Sequence, residues 1–237
     1  MNKIIIITGV SSGIGRAFVE HYLAAGEKVI GLGRKNDIQH DNYTFFPCDF
    51  LQPLDFQFLK PLIENSQEIL LINNAGVIGN VERISEQNIS DIQEVMQVNA
   101  IAPMLLCQFV LQHFPIHFPL TIINISSGAG KNPLPSCASY CASKAALDLF
   151  SRTIYLEETE RKRAIKVYSV APGVVDTPMQ LKMRSSNEQS FSSVSKFKTY
   201  HAQNELYSPA IVVQKMMVLL AKNYTGEIIY SLRDISI

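Results

Sequence analysis

The stretch Lys3–Gly15 reads KIIIITGVSSGIG, and it decides the fold. Four consecutive isoleucines before Thr8 are typical of a buried β-strand, and the residues from Ile14 to Ala25 have the pattern of an amphipathic helix. Glycines between strand and helix let the backbone turn tightly and approach a pyrophosphate, which the free N–H groups of the helix N-terminus attract. The stretch predicts a dinucleotide site with contacts from Gly9, Ser11, Ser12, Gly13, Ile14 and Gly15.

Short apolar strands alternate with helices along the rest of the chain. Further strands are predicted at 28–33, 43–47, 69–73, 121–125, 166–171 and 227–230, and further helices at 54–65, 90–114, 138–160 and 208–220. This alternation predicts one α/β domain spanning residues 1–237, with a doubly wound parallel sheet of the Rossmann type. Ligands of such sheets bind beyond the carboxyl ends of the strands, where the motifs of this chain fall.

Composition excludes several classes of function. The formal net charge is zero, which argues against a nucleic-acid or anionic-membrane partner. No run of about 18 apolar residues is evident, so no membrane span is expected. The four cysteines form no CxxC pair and no His completes a metal set, so we expect no metal. The N-terminal apolar run is too short for a signal peptide, and a cytoplasmic location is expected.

Catalytic chemistry is indicated between Leu120 and Lys144. A strand ends at Ser126 and Ser127, a loop follows, and Tyr140 and Lys144 then occupy positions i and i+4 of a helix. An ammonium one turn from a phenol lowers its pKa, and a serine hydroxyl can hold the same substrate oxygen. A Tyr-Lys pair at i and i+4 can also be an ordinary contact on a helix surface. The two serines at the strand end favour the interpretation that these residues protonate a substrate carbonyl.

The second strand ends in Gly33-Arg34-Lys35 and has no acid for the adenosine ribose. An arginine there can bind a 2′-phosphate, so the sequence predicts NADP(H), although a solvated basic turn is the alternative. Asp49, just after the third strand, is predicted to accept a hydrogen bond from the adenine amino group.

Amide-rich and proline-rich segments add to this predicted site. Asn74, Ala75 and Gly76 follow the fourth strand where the cofactor would lie, although asparagines there can simply cap turns. Pro103 has no N–H, so the Asn99 carbonyl four residues earlier lacks its helical hydrogen-bond partner. This predicts a kink in the helix and a free carbonyl that can hold a water molecule of a proton relay. A kink without function is the alternative. Beyond the sixth strand, cofactor contacts are predicted from Pro172, Gly173, Val175 and Thr177. The polar segment 179–207 is expected to be a mobile lid.

These motifs together resemble the short-chain dehydrogenase/reductase family over nearly the whole chain. Ser127 precedes Tyr140 by 13 residues, the spacing of that family. The resemblance implies a catalytic tetrad of Asn99, Ser127, Tyr140 and Lys144. In it Tyr140 is the acid–base group, Ser127 holds the substrate carbonyl, Lys144 binds the nicotinamide ribose and lowers the Tyr140 pKa, and Asn99 keeps the relay water.

Within that family, the segments at 124–133 and 140–153 are similar to sepiapterin reductases and bacterial benzil reductases. The resemblance implies an NADPH-dependent reductase of a small-molecule ketone, such as one carbonyl of a 1,2-dicarbonyl. Alternatives are a 3-oxoacyl or steroid reductase and an NADPH-sensing protein without chemistry. The chain ends without the family's Asp-Gly-Gly segment, so a homodimer is expected rather than a tetramer. Asp234 is a further substrate contact to consider.

Overall fold

A parallel sheet forms the centre of the molecule, whose computed structural model describes residues 2–237. Every strand pair in the described chain is parallel, and the strand order is β3-β2-β1-β4-β5-β6-β7. The predicted doubly wound α/β fold of the Rossmann type is therefore confirmed. The strands are β1 (Lys3–Thr8), β2 (Val29–Gly33), β3 (Tyr43–Pro47), β4 (Glu68–Asn73), β5 (Leu120–Ile125), β6 (Ile165–Ala171) and β7 (Ile229–Ser231).

Helices cover both faces of this sheet. They are α1 (Gly13–Ala24), α2 (Lys60–Glu64), α3 (Ile89–Met96), α4 (Ala102–His113), α5 (Ala138–Glu160), α6 (Pro178–Arg184), α7 (Val194–Ala202) and α8 (Pro209–Ala221). Short 3₁₀ turns occur at Gln57–Leu59, Gly128–Gly130 and Leu232–Asp234, and a π-helical turn, Gln97–Ile101, joins α3 to α4.

The isoleucines of β1 show why the sheet is buried on both faces. Ile4 and Ile6 pack in the hydrophobic cluster formed with α2, α4 and α5, whereas Ile5 and Ile7 pack in the cluster formed with α1 and α8. Successive side chains of a strand point to opposite faces, so four consecutive apolar residues serve two cores. Each buried isoleucine stabilises the fold by about 1.5–3 kcal/mol.

One predicted helix and the predicted last strand are wrong in extent. The helix predicted at 54–65 is a 3₁₀ turn followed by the five-residue helix α2. Pro61 lacks an N–H and occupies the first turn of α2, which is where a helix tolerates proline. The last strand is Ile229–Ser231 rather than 227–230, because its pairing with β6 begins at Ser169 opposite Ile229.

The long helix predicted at 90–114 is a run of three pieces, α3, the π-helical turn and α4. Pro103 follows the π-helical turn directly, and within this turn the Ala102 N–H donates to the Gln97 carbonyl five residues back. By length and mean hydropathy (1.4) alone, the run Ile89–His113 meets the criteria for a helix that could cross a membrane. Over half of its most apolar window, 56%, is buried in the fold, as in a core helix.

Candidate active site

A cleft of about 1180 Å³ lies beyond the carboxyl ends of the strands. Most of the site residues predicted from the sequence line it. These are Gly9, Ser11, Ser12, Gly13, Ile14, Arg34, Asp49, Asn74, Ala75, Gly76, Ser127, Tyr140, Lys144, Pro172, Gly173, Val175 and Thr177. Gly15 and Asn99 do not line it and lie behind its wall.

The glycine loop after β1 is packed too tightly for side chains at two positions. Gly9 has a φ of +73°, and a Cβ on it would lie 2.8 Å from the Cα of Ala75. A Cβ on Gly15 would overlap the Gly9 carbonyl oxygen and the Asn74 side-chain amide. Glycine is therefore required at Gly9 for the close approach of the segment after β4, and at Gly15 for the packing of α1 on the loop.

Thr8 and Asn74 hold this loop against the end of β4. The Thr8 hydroxyl oxygen accepts hydrogen bonds from the N–H groups of Asn74 and Ala75, both at 2.9 Å. The Asn74 side-chain amide donates to the carbonyls of Thr8 and Gly9 at 3.0 and 3.1 Å. Asn74, predicted as a cofactor contact, thus uses its amide N–H groups to hold the loop in shape. Thr8 begins the glycine motif in the sequence but was not among the predicted site residues.

Two cations lie at the end of β2 without a partner among residues 2–237. Arg34 and Lys35 are exposed, line the cleft and make no side-chain hydrogen bond or ion pair there. The nearest acid along the chain, Asp37, is bound by Arg16 at 2.6 Å, which holds the pKa of Asp37 below its usual range. Asp49 also lines the cleft, with its carboxylate accepting from the Leu51 N–H at 3.2 Å.

Asn99 lies in the π-helical turn and is fully buried. Its side-chain oxygen accepts from the Val77 N–H, and its amide donates to the Val77 carbonyl, both at 2.8 Å. The same amide donates to the Ser143 hydroxyl of α5 at 3.1 Å. A Cβ on Gly76 would lie 3.4 Å from Asn99 Oδ1 and 3.6 Å from Lys144 Nζ, so the asparagine lies close to the lysine. Its side chain fastens the turn to the segment after β4 and to α5.

Tyr140 and Lys144 lie in the first two turns of α5 and are both buried. The Lys144 Nζ donates to the Ile125 carbonyl at 2.8 Å and lies 5.8 Å from the centroid of the Tyr140 ring. Burial lowers the pKa of Lys144 to about 8, while the charge of Asp148 raises it. Burial likewise raises the pKa of Tyr140 to about 12, while the Ser127 hydroxyl lowers it.

The direction of the Tyr140 shift differs from the sequence prediction. Lys144 was expected to lower the pKa of the phenol, but this pKa is raised, and the main cause is the removal of the phenolate from water. The ammonium is directed to a carbonyl of β5 rather than to the phenol. Tyr140 is therefore a protonated phenol at neutral pH, which is the form that donates a proton.

Ser127 follows β5 and caps the 3₁₀ turn Gly128–Gly130. Its hydroxyl oxygen accepts from the Ala129 N–H at 3.2 Å. The preceding Ser126 also lines the cleft, and its buried hydroxyl has no partner among the described residues. Sequence reasoning placed Ser126 at the strand end but did not include it among the site residues.

The loop after β6 faces the glycine loop across the cleft. A Cβ on Gly13 would lie 3.2 Å from the Thr177 methyl group, so the two loops come close at this point. The Thr177 hydroxyl accepts from the Gln180 N–H at 3.4 Å and caps α6. Val175 forms a β-bridge with Tyr207, which fixes the course of the loop.

A third hydrophobic cluster surrounds Tyr140, and sequence reasoning missed it. Residues 179–207, predicted as a polar lid, form α6 and α7, and these contribute apolar side chains to the cluster. Its lid members are Met179, Met183, Phe191, Val194 and Phe197, and from the catalytic side come Cys137, Tyr140 and Leu134. Leu134, Met179, Met183 and Phe197 also line the cleft, so its wall beside the phenol is apolar.

Comparison with known proteins gives a consistent assignment. Residues 3–188 match the family model described as short chain dehydrogenase. The chain is 33% identical to a benzil reductase ((S)-benzoin forming) of Bacillus subtilis over 98% of this chain and 99% of that protein. It is 31% identical to a benzil reductase of Bacillus cereus over 92% and 94%. A sepiapterin reductase of Xenopus tropicalis is 34% identical over 51% of this chain and 46% of that protein.

Among solved structures, the KRED1-Pglu enzyme is 26% identical, with a TM-score of 0.79 over 96% of this chain and 99% of that chain. The predicted resemblance is thereby confirmed, including its proximity to benzil and sepiapterin reductases. Members of this family bind a nicotinamide cofactor and act on small molecules. The chain belongs to the short-chain dehydrogenase family, and it is an oxidoreductase of that family.

Proposed function

We propose that this protein is an NADPH-dependent carbonyl reductase that reduces one carbonyl of an apolar 1,2-dicarbonyl. The observation that carries the proposal is that Ser127, Tyr140 and Lys144 line one cleft beside an apolar wall. A hydroxyl, a protonated phenol and a buried ammonium are the groups needed to receive a developing alkoxide. Two relatives are named benzil reductase, and benzil is such a dicarbonyl. Their alignments cover nearly the whole of this chain.

The glycine loop fits a dinucleotide. A Cβ at Gly9 or Gly15 would collide with neighbouring atoms, so glycine is needed for this tight loop, and we propose that a pyrophosphate approaches the part of it that lines the cleft. We propose contacts to it from Ser11, Ser12, Gly13 and Ile14, and to the nicotinamide half from Lys144 and the loop Pro172–Thr177. The bound cofactor supplies a hydride to the substrate carbon.

The chain's own groups manage the proton. The Ser127 hydroxyl is proposed to donate a hydrogen bond to the substrate carbonyl oxygen, and Tyr140 to donate its phenolic proton to the same oxygen. A phenolate then remains at Tyr140, and the ammonium of Lys144 stabilises it because the two lie one helical turn apart. Asn99 is proposed to hold the π-helical turn in place against the segment after β4 and against α5, through its hydrogen bonds to Val77 and Ser143.

The preference for NADPH is argued from charge. Arg34 and Lys35 present two cations to the cleft that form no ion pair within residues 2–237, and the acid Asp37 is paired with Arg16. A 2′-phosphate binds a guanidinium bidentately, whereas the ribose hydroxyl of NADH gains little from two cations. Asp49 is proposed to lie beside the adenine.

The apolar wall favours an aryl-substituted ketone. Leu134, Met179, Met183 and Phe197 are side chains that pack well against aromatic rings, and thioethers make favourable contacts with ring edges. A 3-oxoacyl thioester or a steroid ketone would also find apolar surface here, so these are the substrates to compare. A role as an NADPH sensor is disfavoured because Ser127, Tyr140 and Lys144 all line one cleft.

The protein is further proposed to be a cytoplasmic homodimer. Four exposed apolar side chains occur on α4 and α5 and in the π-helical turn before α4. Ile101 ends the π-helical turn and Leu105 follows it on α4, and Leu149 and Leu156 lie on α5. Their burial against a second copy would remove apolar surface from water, which stabilises association.

The test is NADPH oxidation by wild-type and variant protein with benzil, with a 3-oxoacyl thioester and with a steroid ketone. Tyr140→Phe is expected to retain NADPH binding and to lose about a hundredfold or more of kcat, the contribution of a general acid. Tyr155→Phe on the same helix lies outside the cleft and serves as the matched control. A fully active Tyr140→Phe variant would refute the mechanism, and turnover of the thioester but not of benzil would refute the substrate class.

A further inference from the structure

Asp148 lies one helical turn beyond Lys144 on α5, at the junction of three elements. It lines the cleft, and its carboxylate accepts a hydrogen bond from the Ser169 hydroxyl of β6 at 2.6 Å. A Cβ on Gly130 would lie 2.8 Å from Asp148 Oδ2, so the carboxylate also contacts the 3₁₀ turn that follows Ser127. The position of this charge is therefore set by α5, by β6 and by the turn together.

Lys144 needs a compensating charge. Its ammonium is buried and has one hydrogen-bond acceptor, the Ile125 carbonyl, and among residues 2–237 no carboxylate forms an ion pair with it. A buried ammonium without a close counter-ion tends to lose its proton. Burial lowers the pKa of Lys144 to about 8, and the group that raises it is Asp148.

The other elements packed around Lys144 present neutral groups. The π-helical turn contributes the amide of Asn99, the segment after β4 contributes Gly76, and β5 contributes a backbone carbonyl. On α5 itself Tyr140 is the other titratable neighbour, and its phenol remains neutral because its pKa is raised to about 12. In the described chain, the charge that acts on Lys144 is thus that of Asp148.

We propose that Asp148 is a positioning residue that keeps Lys144 in its ammonium form, and that the Ser169 hydroxyl holds the Asp148 carboxylate in place for this task. In the proposed mechanism Asp148 contacts neither the proton donor Tyr140 nor the substrate carbon, and it acts through Lys144. The proposal rests on the proposed catalytic role of Lys144. Its decisive measurement needs no turnover, so the two can fail separately.

The protonation of Lys144 can be followed by an NMR titration of ¹⁵N-labelled lysine side chains in the protein without cofactor, with Lys144→Arg identifying the signal. Asp148→Asn keeps an oxygen that accepts from Ser169 and removes the charge. In this variant the titration midpoint of the Lys144 side chain is expected to fall by about one pH unit, because a neighbouring opposite charge has been lost. The alkaline limit of kcat should move to lower pH by the same amount.

Two further variants separate charge from structure. Asp148→Glu retains the carboxylate and should restore most of the wild-type midpoint, and Ser169→Ala should lower the midpoint by less than Asp148→Asn does. Thermal unfolding at pH 6 is the folding control, because Lys144 is charged in every variant there. An unchanged midpoint in Asp148→Asn, or a loss of kcat that is equal at all pH values, would show a purely structural role and overturn the proposal.

Discussion

Lys144 Nζ lies 5.8 Å from the centroid of the Tyr140 ring, one turn away on the same helix, and donates its hydrogen bond to the Ile125 carbonyl instead. The ammonium is thereby held beside the phenol without being paired to it. Because both side chains are buried, their charged forms are disfavoured, and the pKa values move in opposite directions, to about 12 for Tyr140 and about 8 for Lys144.

This relationship predicts the pH dependence of reduction. Below a pH of about 8 both groups carry their protons, Tyr140 as the acid and Lys144 as the stabilising charge. As the pH rises through the lowered pKa of Lys144, the ammonium is lost first, and kcat should fall with an alkaline limb near pH 8. Steady-state rates with benzil and saturating NADPH between pH 6 and pH 10 test this.

Lys144→Arg is the matched variant for this profile. A guanidinium stays charged throughout the range, so any remaining activity should lose the alkaline limb near pH 8. A limb at the same pH in Lys144→Arg would show that another group is responsible.

The glycine loop predicts a large effect of one methyl group. Gly15→Ala would place its Cβ against the Gly9 carbonyl and the Asn74 amide, so the free energy of unfolding should fall by about 1–3 kcal/mol, as for overpacked cores. NADPH affinity should fall as well, since the loop must shift. Urea denaturation and fluorescence titration measure the two effects.

Gly128→Ala is the control for this methyl group, because a Cβ there meets no heavy atom within 4 Å. Its stability should stay within about 0.5 kcal/mol of wild type. Equal stability losses in the two variants would contradict the packing argument.

Arg34→Ala tests the proposed preference for NADPH. Loss of a charge-assisted hydrogen bond worth about 1.5–3 kcal/mol should raise the KM for NADPH tenfold to a hundredfold and leave the KM for NADH nearly unchanged. Arg152→Ala, an exposed arginine of α5 outside the cleft, should change neither constant. A parallel rise in both KM values for Arg34→Ala would contradict recognition of the 2′-phosphate.

Dimerisation through the long helices makes a prediction that sedimentation can check. Leu149 and Leu156 are 66% and 61% exposed on α5, so Leu149→Lys is expected to shift a wild-type dimer towards monomer. The shift follows from placing a charge in an apolar interface. Ile237→Lys at the 70% exposed carboxyl terminus is the control and should leave the dimer intact. A monomeric wild-type protein would refute the proposal.

Much of this molecule could be predicted from local patterns. The run Ile4–Ile7 and the glycines that follow it determined the first strand, the turn and the helix, since each depends on residues adjacent in sequence. The positions of Tyr140 and Lys144 on one helix face likewise follow from a four-residue spacing. Most predicted site residues line one cleft because the carboxyl ends of parallel strands meet at one edge.

What local patterns cannot supply is contact between distant segments. The bonds from Thr8 and Asn74 that shape the glycine loop join residues 66 positions apart, and the apolar surroundings of Tyr140 come from α6 and α7, which read as a polar lid. The sequence by itself determined which groups can do the chemistry. Only the tertiary structure decided how far each is buried, and burial is what sets the pKa values of Tyr140 and Lys144, because the cost of a charge depends on the water it loses.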